Sequence, residues 1–338
     1  MDERIDHRSG SVINSCRTLI MISCSPPFAA ATLQTNTTIM HQLTIADLNK
    51  TYKNGVKALQ GVSLTINQGM FGLLGPNGAG KSSLMRTLAT LQEPDSGQVL
   101  FDNINIHQQP QWLRGQLGYL PQDFGVYPRL SAIDLLEHLA VLKGLTDVKA
   151  RREQILALLD QTNLYKVRKQ SVASYSGGMR QRFGIAQALL GDPKLIIVDE
   201  PTAGLDPLER NRFHDLLSEI GEQVVVILST HIVEDVYDLC PEMAVMGQGR
   251  VLLQGKPAML MSALEGRVWS KIVSKEELKL HEEEWPVLSS RRVAGRLQIH
   301  VFSNNRPAAG FEPLSPSLED VYFSVLFGTQ RAEKEVAI

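Results

Sequence analysis

An apolar run, residues 70–74, leads directly into a glycine-rich turn, and a helical pattern begins near Lys81. The turn reads Gly75-Pro76-Asn77-Gly78-Ala79-Gly80-Lys81-Ser82 and fits the pattern GxxxxGK(S/T) in full. Glycines let backbone N–H groups wrap a phosphate without obstruction by side chains, and the helix N-terminus adds partial positive charge. This order of strand, glycine loop and helix predicts a parallel α/β domain with its ligand at the carboxyl edge of the sheet.

The same turn supplies two side chains suited to a nucleoside triphosphate. Lys81 is expected to reach the β- and γ-phosphates, and the Ser82 hydroxyl is expected to coordinate Mg²⁺. Ser83 follows on the same helix and belongs to the same candidate set. The alternative is a glycine turn that caps a helix and binds nothing, and the apolar strand directly upstream argues against it.

A second motif ends in two adjacent carboxylates, since the apolar residues 195–198 precede Asp199 and Glu200. An acid at the carboxyl end of a buried parallel strand lies beside the phosphate site. Asp199 is therefore expected to hold Mg²⁺ through water. Glu200 points to the opposite face and is expected to polarise the attacking water as general base. The alternative is a strand that ends in a solvated acidic turn, which the glycine-rich turn disfavours, so the two motifs together predict a P-loop nucleoside triphosphatase.

Strand and helix patterns outside these motifs predict the domain organisation. Strand patterns occupy residues 43–45, 62–66, 98–101 and 224–228, and leucines recur at helical spacing between about residues 122 and 190. Further strands are predicted at residues 267–273 and 296–302, before a last helix that Ser317 caps together with Asp320. We expect an α/β P-loop core with an antiparallel β subdomain and an inserted helical subdomain, followed by a small α/β accessory domain. The predicted limits are residues 41–264 for the ATPase domain, about 123–190 for the helical subdomain and 265–338 for the accessory domain.

The composition narrows the classes of partner and compartment. With 43% apolar and 21% charged residues, the 338-residue chain can bury a core like an ordinary globular protein. The net charge of -2 gives no reason to expect a broad nucleic-acid-binding surface. The three cysteines, Cys16, Cys24 and Cys240, are widely spaced and form no CxxC pair, which fits a reducing compartment.

A third motif, Tyr175-Ser176-Gly177-Gly178-Met179-Arg180-Gln181-Arg182, lies shortly before the acidic pair. It resembles the signature motif of ATP-binding-cassette (ABC) proteins. Other elements stand in the order of that family, namely Gln122 in Tyr119-Leu120-Pro121-Gln122, then Gly204-Leu205-Asp206-Pro207 and Ser229-Thr230-His231. The resemblance covers about residues 43–256 and implies an ATPase that uses ATP and Mg²⁺.

The resemblance implies roles for three residues beyond the phosphate motifs. Tyr52 resembles the aromatic that stacks on adenine, with a plain strand aromatic as the alternative. Gln122 resembles the residue that touches both the metal and the attacking water, although a lone glutamine is usually a surface amide. His231, which follows a strand pattern, resembles the histidine that holds the γ-phosphate and the water near Glu200.

The signature segment implies a second subunit. Ser176, Gly177 and Gly178 open a helix, and in this family they contact ATP held by the opposite subunit of a head-to-tail dimer. Read alone, they are an N-cap followed by a flexible turn. Asp206 resembles the acid that crosses the dimer interface. The expected partner is a second copy of the chain or a paralogous ATPase subunit.

Two departures from the commonest signature point to a branch of the family. Tyr175 stands where Leu is usual and Met179 where Gln is usual, while the phosphate-contacting Ser-Gly-Gly is intact. This variant and the closing segment Ser317-Leu318-Glu319-Asp320-Val321-Tyr322-Phe323 both resemble the type-two exporter branch, which includes drug-resistance and sodium-efflux ATPases. Export is therefore the expected direction of transport.

The chain has no apolar run of the roughly 18–20 residues that a membrane helix needs. Transport therefore requires a separate membrane permease, with this subunit on the inner face of the cell membrane. Its expected docking surface is the apolar loop after Gln122, which carries Phe124, Val126, Tyr127 and Leu130 and whose alternative role is local core packing. The rival function is a non-transport ABC ATPase that acts on the ribosome or DNA, although such relatives carry two cassettes or a long heptad insertion.

Residues 1–40 are expected to form a poorly ordered extension. The segment contains a short apolar stretch with Pro26 and Pro27 in its middle, and its charges are mixed, which disfavours a secretory signal. A further hypothesis is that translation begins at Met40, because regular patterning starts directly after it. Peptides from before Met40 in mass spectra of the native protein would exclude that start site.

Overall fold

Three β-sheets and the helices that join them build the part of the chain that the computed structural model describes, residues 40–122, 125, 129–202 and 205–336. Apart from Met40, the predicted N-terminal extension lies outside these residues, and so do Phe124, Val126, Tyr127 and Gly204. The extension and the limits of the domains stay predictions.

The elements of the first half alternate between strands and short helices before three longer helices follow. They are β1 (Gln42–Thr51), β2 (Lys57–Asn67), β3 (Gly69–Leu74), α1 (Lys81–Leu88), β4 (Ser96–Phe101), β5 (Ile104–Asn105), α2 (Pro110–Gln116), β6 (Leu117–Leu120), α3 (Ala132–Leu142), α4 (Val148–Gln161) and α5 (Gly177–Leu189).

The second half completes the central sheet and then adds a third one. Its elements are β7 (Leu195–Asp199), α6 (Pro207–Gly221), β8 (Val225–Thr230), α7 (Val233–Leu239), β9 (Glu242–Gly247), β10 (Arg250–Gly255), α8 (Pro257–Ser262), β11 (Val268–Val273), α9 (Lys275–Glu284), β12 (Val287–Val293), β13 (Arg296–Phe302), β14 (Glu312–Pro313) and α10 (Leu318–Val336).

A six-stranded sheet in the order β10-β9-β3-β8-β7-β6 forms the centre of the fold. Strands β9, β3, β8, β7 and β6 run parallel, and β10 pairs antiparallel at one edge. The residues of β7 and β8 are all buried, as expected for a parallel sheet that is covered on both faces. The carboxyl ends of β3, β7 and β8 therefore lie side by side at one edge of the sheet.

An antiparallel sheet in the order β2-β1-β4-β5 covers one face of this core. Strand β2 alternates buried and exposed residues along much of its length, and its buried members pack with apolar residues of β3, β7 and β8. The predicted antiparallel subdomain is confirmed. Its strands are longer than the sequence pattern indicated, because exposed polar positions alternate with the apolar ones and hide the full extent of each strand.

Helices α3, α4 and α5 follow β6 and precede β7 in the chain, and they form one helical layer, as the helical leucine spacing predicted. Leu136 of α3, Leu159 of α4 and Phe183 of α5 are fully buried in one apolar cluster. Helix α3 begins at Ser131, whose side chain accepts a hydrogen bond from the Asp134 N–H. The predicted α/β fold class with an inserted helical layer is confirmed.

The chain ends in an antiparallel sheet in the order β12-β13-β11-β14 and in helix α10. The predicted cap of this helix is confirmed, because Ser317 Oγ accepts from the Asp320 N–H at 3.2 Å and the Asp320 carboxylate accepts from the Ser317 N–H at 2.9 Å. Asp320 is fully buried and also lies 2.8 Å from Nδ1 of the buried His300 on β13. Val321 and Tyr322 pack into the same apolar cluster as β8 and α7, so α10 joins this sheet to the core.

Removing the charge of Asp320 should lower stability without any change at the glycine-rich turn. In Asp320→Asn, the amide still accepts one hydrogen bond but presents N–H donors to His300 or Ser317, which are donors already. We expect a loss of about 1–3 kcal/mol in the free energy of unfolding, as is typical when a buried polar partner is removed. Chemical denaturation measures it. Glu319→Gln is the matched control, since it removes a charge from the same helical turn without a fully buried group, and equal losses in the two variants would contradict the assignment.

Candidate nucleotide-binding site

The glycine-rich turn joins β3 to α1 and packs against two other parts of the core. Gly80 has φ 101°, and a Cβ atom built on it would lie 2.4 Å from the Ala58 carbonyl oxygen of β2. A Cβ atom on Gly75 would lie 2.6 Å from the Met246 carbonyl oxygen of β9. Both positions therefore require glycine, the first because of its left-handed backbone and the second because of its close neighbour.

Lys81 is the first residue of α1, and its side chain is only 6% exposed. Its Nζ donates to the Gly75 carbonyl at 2.6 Å and lies 3.7 Å from Glu200 Oε1. Burial lowers the pKa of Lys81 below its ordinary value, although the carboxylates of Glu200 and Asp199 act in the opposite direction. A buried ammonium group that contacts carbonyl and carboxylate oxygens is suited to donate hydrogen bonds to a phosphate oxygen instead.

The two acids of the second motif lie where the sequence placed them, at the carboxyl end of β7. Asp199 is 4% exposed and Glu200 is 7% exposed. Glu200 has φ 52°, in the left-handed region that a residue with a side chain rarely adopts, and its N–H donates to the Ser229 carbonyl at 2.8 Å. Such strain clusters at functional sites, where neighbouring structure holds it. The sequence pattern gave no sign of this conformation.

His231 directly follows β8 and meets Glu200 across the edge of the sheet. Its Nδ1 lies 2.5 Å from Glu200 Oε2, and its ring is half exposed on the other side. An ionised carboxylate only accepts hydrogen bonds, so with Glu200 ionised Nδ1 carries the proton. Lys81, Glu200 and His231 thus form a connected polar group whose members come from three distant parts of the sequence.

A cleft of about 440 Å³ opens over this group. Twelve of the predicted site residues line it, namely Tyr52, Pro76, Asn77, Gly78, Ala79, Gly80, Lys81, Ser82, Ser83, Gln122, Glu200 and His231. Sequence reasoning missed five further lining residues, Val56, Lys57, Ala58, Gln60 and Gln248. They lie on or beside β2 and in the turn between β9 and β10, where no local motif marks them.

The aromatic at position 52 is anchored to the start of α1. The Tyr52 hydroxyl lies 3.0 Å from Ser83 Oγ and donates to Gln92 Oε1 at 3.1 Å. Gln92 in turn donates to the Ser83 carbonyl at 2.9 Å. These bonds fix the position of the half-buried ring at the cleft wall, and they explain the presence of a tyrosine at this position.

The signature residues lie outside this cleft. Ser176 caps α5 by accepting from the Met179 N–H at 3.2 Å, and it is exposed, as is Gly177. Asp206 caps α6 by accepting from the Glu209 N–H at 2.9 Å. Gly178 abuts Glu209, since a Cβ atom on it would lie 2.9 Å from Glu209 Oε2. Within the described residues the signature and Asp206 are thus close to each other and absent from the lining of the cleft around Lys81.

The unusual tyrosine of the signature is part of the helical layer. Tyr175 is 2% exposed and packs edge-on against Phe183, while its hydroxyl donates to the Val167 carbonyl at 3.0 Å. Burial raises the pKa of Tyr175 above its ordinary value. A phenol with a satisfied hydroxyl is a good replacement for leucine at this position, so the substitution leaves the exposed Ser-Gly-Gly unchanged.

Two buried oxygen atoms at the edge of the sheet have no hydrogen-bond partner in the described structure. They are Asp199 Oδ1 and Ser229 Oγ, which belong to residues paired across β7 and β8. Buried oxygens without partners are costly, and a hydrated Mg²⁺ ion would supply the missing partners with its water. No cluster of three or more His, Cys, Asp or Glu side chains suited to a metal occurs in the part of the chain that is described. The unpartnered oxygens of Asp199 and Ser229 fit a metal that shares its coordination with phosphate and water.

Comparison with known proteins identifies the family. The ABC transporter family model matches residues 59–203. The chain is 33% identical over 300 residues to the uncharacterized ABC transporter ATP-binding protein YxlF of Bacillus subtilis, covering 84% of this chain and 99% of that protein. It is 31% identical over 287 residues to the daunorubicin/doxorubicin resistance ATP-binding protein DrrA of Streptomyces peucetius, covering 84% and 83% respectively.

A solved structure agrees with this relationship. The ATP-binding cassette MJ0796, in a dimeric post-hydrolysis state bound to ADP and Pi, matches 63% of this chain and 98% of its own with 28% identity and a TM-score of 0.58. No helix among the described residues has the length and apolarity to cross a bilayer. The glycine-rich turn, the acidic pair and the signature stand in one fold that relatives share over nearly their whole length, and the chain accordingly belongs to the ABC transporter family as an ATP-binding subunit that hydrolyses ATP.

Proposed function

We propose that this subunit closes on a second ATPase subunit around two MgATP molecules and thereby drives a separate membrane permease that exports its cargo. ABC ATPase subunits dimerise and work with permease components. The second subunit is either another copy or a paralogue. The observation that carries the proposal is the connected group of Lys81, Glu200 and His231 at the floor of one cleft, with Gln122 at its wall.

The turn and the cleft walls account for nucleotide binding. Backbone N–H groups of residues 77–82 surround the phosphates, and Lys81 exchanges its carbonyl partner for β- and γ-phosphate oxygens. Tyr52 stacks on the adenine. Ser82 and Asp199 would hold Mg²⁺, Asp199 through water, and Gln122 would contact the metal and the attacking water. When bound, Mg²⁺ neutralises charge on the phosphates and orients them.

Glu200 and His231 account for hydrolysis. The carboxylate of Glu200 takes a proton from a water molecule as the oxygen of that water bonds to the γ-phosphorus, and the bond from this phosphorus to the β–γ bridging oxygen breaks. ADP carries away the electron pair of the broken bond, and inorganic phosphate is the other product. His231 positions the carboxylate through the 2.5 Å contact and holds the γ-phosphate with its exposed side.

The separation of the signature from the cleft supports a composite site. Ser176, Gly177 and Gly178 present a hydroxyl and backbone N–H groups at the start of α5, yet they do not line the cleft of their own subunit. A head-to-tail dimer brings the start of α5 of one subunit over the γ-phosphate held by the other, and it places Asp206 at the interface. Each of the two sites then contains residues of both subunits.

Two features support the export assignment and the location of the subunit. The drug-resistance name of DrrA belongs to a relative that matches this chain over most of both lengths. Leu130, which is half-buried against the helical layer, marks the border of the loop that follows Gln122. We propose that this loop contacts the permease on the inner face of the cell membrane, so that closure around ATP is transmitted to the transport pathway.

Glu200→Gln should abolish most ATP turnover and leave ATP binding intact. The amide keeps the shape of the side chain but cannot accept a proton from water, and general bases contribute on the order of 10²–10⁴ in rate. Single-turnover hydrolysis measures the chemical step, and a fluorescent ATP analogue measures binding. Glu137→Gln, on α3, is a control for the loss of a partly buried carboxylate away from the cleft, where Glu137 is paired with Arg151. Hydrolysis by Glu200→Gln at the parental rate would exclude the general-base role.

Mixing two inactive variants should restore turnover if the site is composite. Lys81→Ala removes the phosphate contact of one subunit, and Ser176→Arg blocks the signature of the other. Random exchange makes half of the dimers mixed, each with one intact site of two, so the mixture should recover up to about a quarter of parental turnover. Each variant alone stays inactive at the same total concentration. A mixture no more active than its components, with both variants folded by circular dichroism and the parental chain active without another ATPase subunit, would contradict the composite site.

A further inference from the structure

A fully buried carboxylate lies close to the catalytic pair without belonging to any motif. Asp235 is 0% exposed and lies on α7, four residues after His231. A buried charge is expensive and persists only where partners compensate it. Packing alone does not explain Asp235, because an apolar residue would fill the same space without the free-energy cost of a buried charge.

Three donors from two other segments converge on this carboxylate. Thr202 Oγ1 donates to Oδ2 at 2.5 Å, and Arg210 Nε donates to Oδ1 at 2.8 Å. His214 Nε2 lies 2.8 Å from the same Oδ1, and Asp238 lies 4.0 Å from the other ring nitrogen of this histidine. Burial alone would raise the pKa of Asp235, but the bonds from His214 and Thr202 and the charge of Arg210 hold it below its ordinary value.

These contacts close a ring that contains the catalytic pair. Thr202 is two residues after Glu200, and Asp235 is four residues after His231. The Thr202–Asp235 bond joins the two segments at one point, and the Glu200–His231 contact of 2.5 Å joins them at another. Glu200, in the segment after β7, also has a strained φ, and contacts with neighbouring segments must stabilise this backbone conformation.

We propose that Asp235 is a positioning residue that fixes Glu200 and His231 relative to each other by tying the segment after β7 to α7 through Thr202. The inference rests on the proposed roles of Glu200 and His231. Arg210 and His214 extend the tie to α6, the helix that Asp206 caps. This ring of contacts then links Glu200 and His231 to α6, whose N-terminus is proposed to lie at the dimer interface.

The variants Thr202→Val and Thr202→Ser distinguish a positioning role of the Thr202–Asp235 bond from a role in packing alone. Valine has the shape of threonine and lacks the hydroxyl, whereas serine retains the hydroxyl and loses only a methyl group. We expect Thr202→Val to lower kcat by about 10- to 100-fold with little change in KM for ATP, since small displacements of catalytic groups act mainly on the chemical step. Thr202→Ser should stay within about threefold of the parent in both constants.

Asp320→Asn is the matched control for the loss of stability. It also disturbs a fully buried carboxylate that is held by a histidine and a hydroxyl, but it lies on α10 outside the cleft. We expect it to lower the melting temperature and to leave kcat unchanged. Equal effects of Asp320→Asn and Thr202→Val on both melting temperature and kcat would reduce Asp235 to a structural residue and overturn the proposal.

Combining Thr202→Val with His231→Ala tests whether the Thr202–Asp235 bond acts through Glu200 and His231. In His231→Ala the ring is already open, so adding Thr202→Val should lower kcat by less than about twofold, whereas independent effects would multiply. Multiplied losses would overturn the proposal. Glu200→Gln shows which of the two proposals fails. If this variant turns over ATP at the parental rate, the proposed function fails. If it is inactive while Thr202→Val retains the parental kcat, only the role of Asp235 fails.

Discussion

The buried ion pair between Lys81 and Glu200 is the interaction on which the site depends. The two charges lie 3.7 Å apart and are each less than 10% exposed, with Asp199 also buried beside them. Neither charge is stable at such a position without the other, because removing one partner of a buried pair leaves an uncompensated charge. The parallel sheet makes the pairing possible, since β3 and β7 flank β8 and end at the same edge, so that the lysine after β3 and the carboxylate after β7 meet there.

This arrangement keeps the cleft ready for a charged ligand. Lys81 donates hydrogen bonds to the carbonyl groups of Gly75 and Pro76 in its own loop and forms an ion pair with Glu200. Burial lowers its pKa, and a phosphate group, which adds negative charge, would act in the opposite direction, as the carboxylates of Glu200 and Asp199 already do. The same lysine thus contacts both the phosphate-binding loop and Glu200, the residue proposed as general base.

The sequence predicted the parts of the site that are contiguous in the chain. Residues 75–82 and the pair Asp199 and Glu200 form local motifs because a strand, its turn and the next helix must be consecutive to build a phosphate site. The α/β class and the helical layer followed from periodicity in the same way. Helix α9 and strand β12 were missed, since α9 buries none of its residues and β12 only one, and apolar periodicity is the main signal for either element.

What the sequence could not predict depends on contacts between distant segments. The walls of the cleft at Gln60 and Gln248 meet because β2 and the β9–β10 turn pack together, with a hydrogen bond of 2.7 Å between the Gln60 amide and the Gln248 carbonyl. The conformation of Glu200 arises because its N–H reaches the Ser229 carbonyl of the neighbouring strand. Asp235 resembles any helix carboxylate until the fold brings Thr202, Arg210 and His214 to it.

Helix α7 is the element at which these long-range contacts meet. Its first turn follows His231, its buried face packs on β3 and β8, and Val236 shares an apolar cluster with Val321 and Tyr322 of α10. Helix α7 therefore lies between three parts of the fold, namely His231 at the edge of the central sheet, the sheet itself and the C-terminal helix. One short helix brings these parts together, although about 90 residues separate His231 from Tyr322 in the sequence.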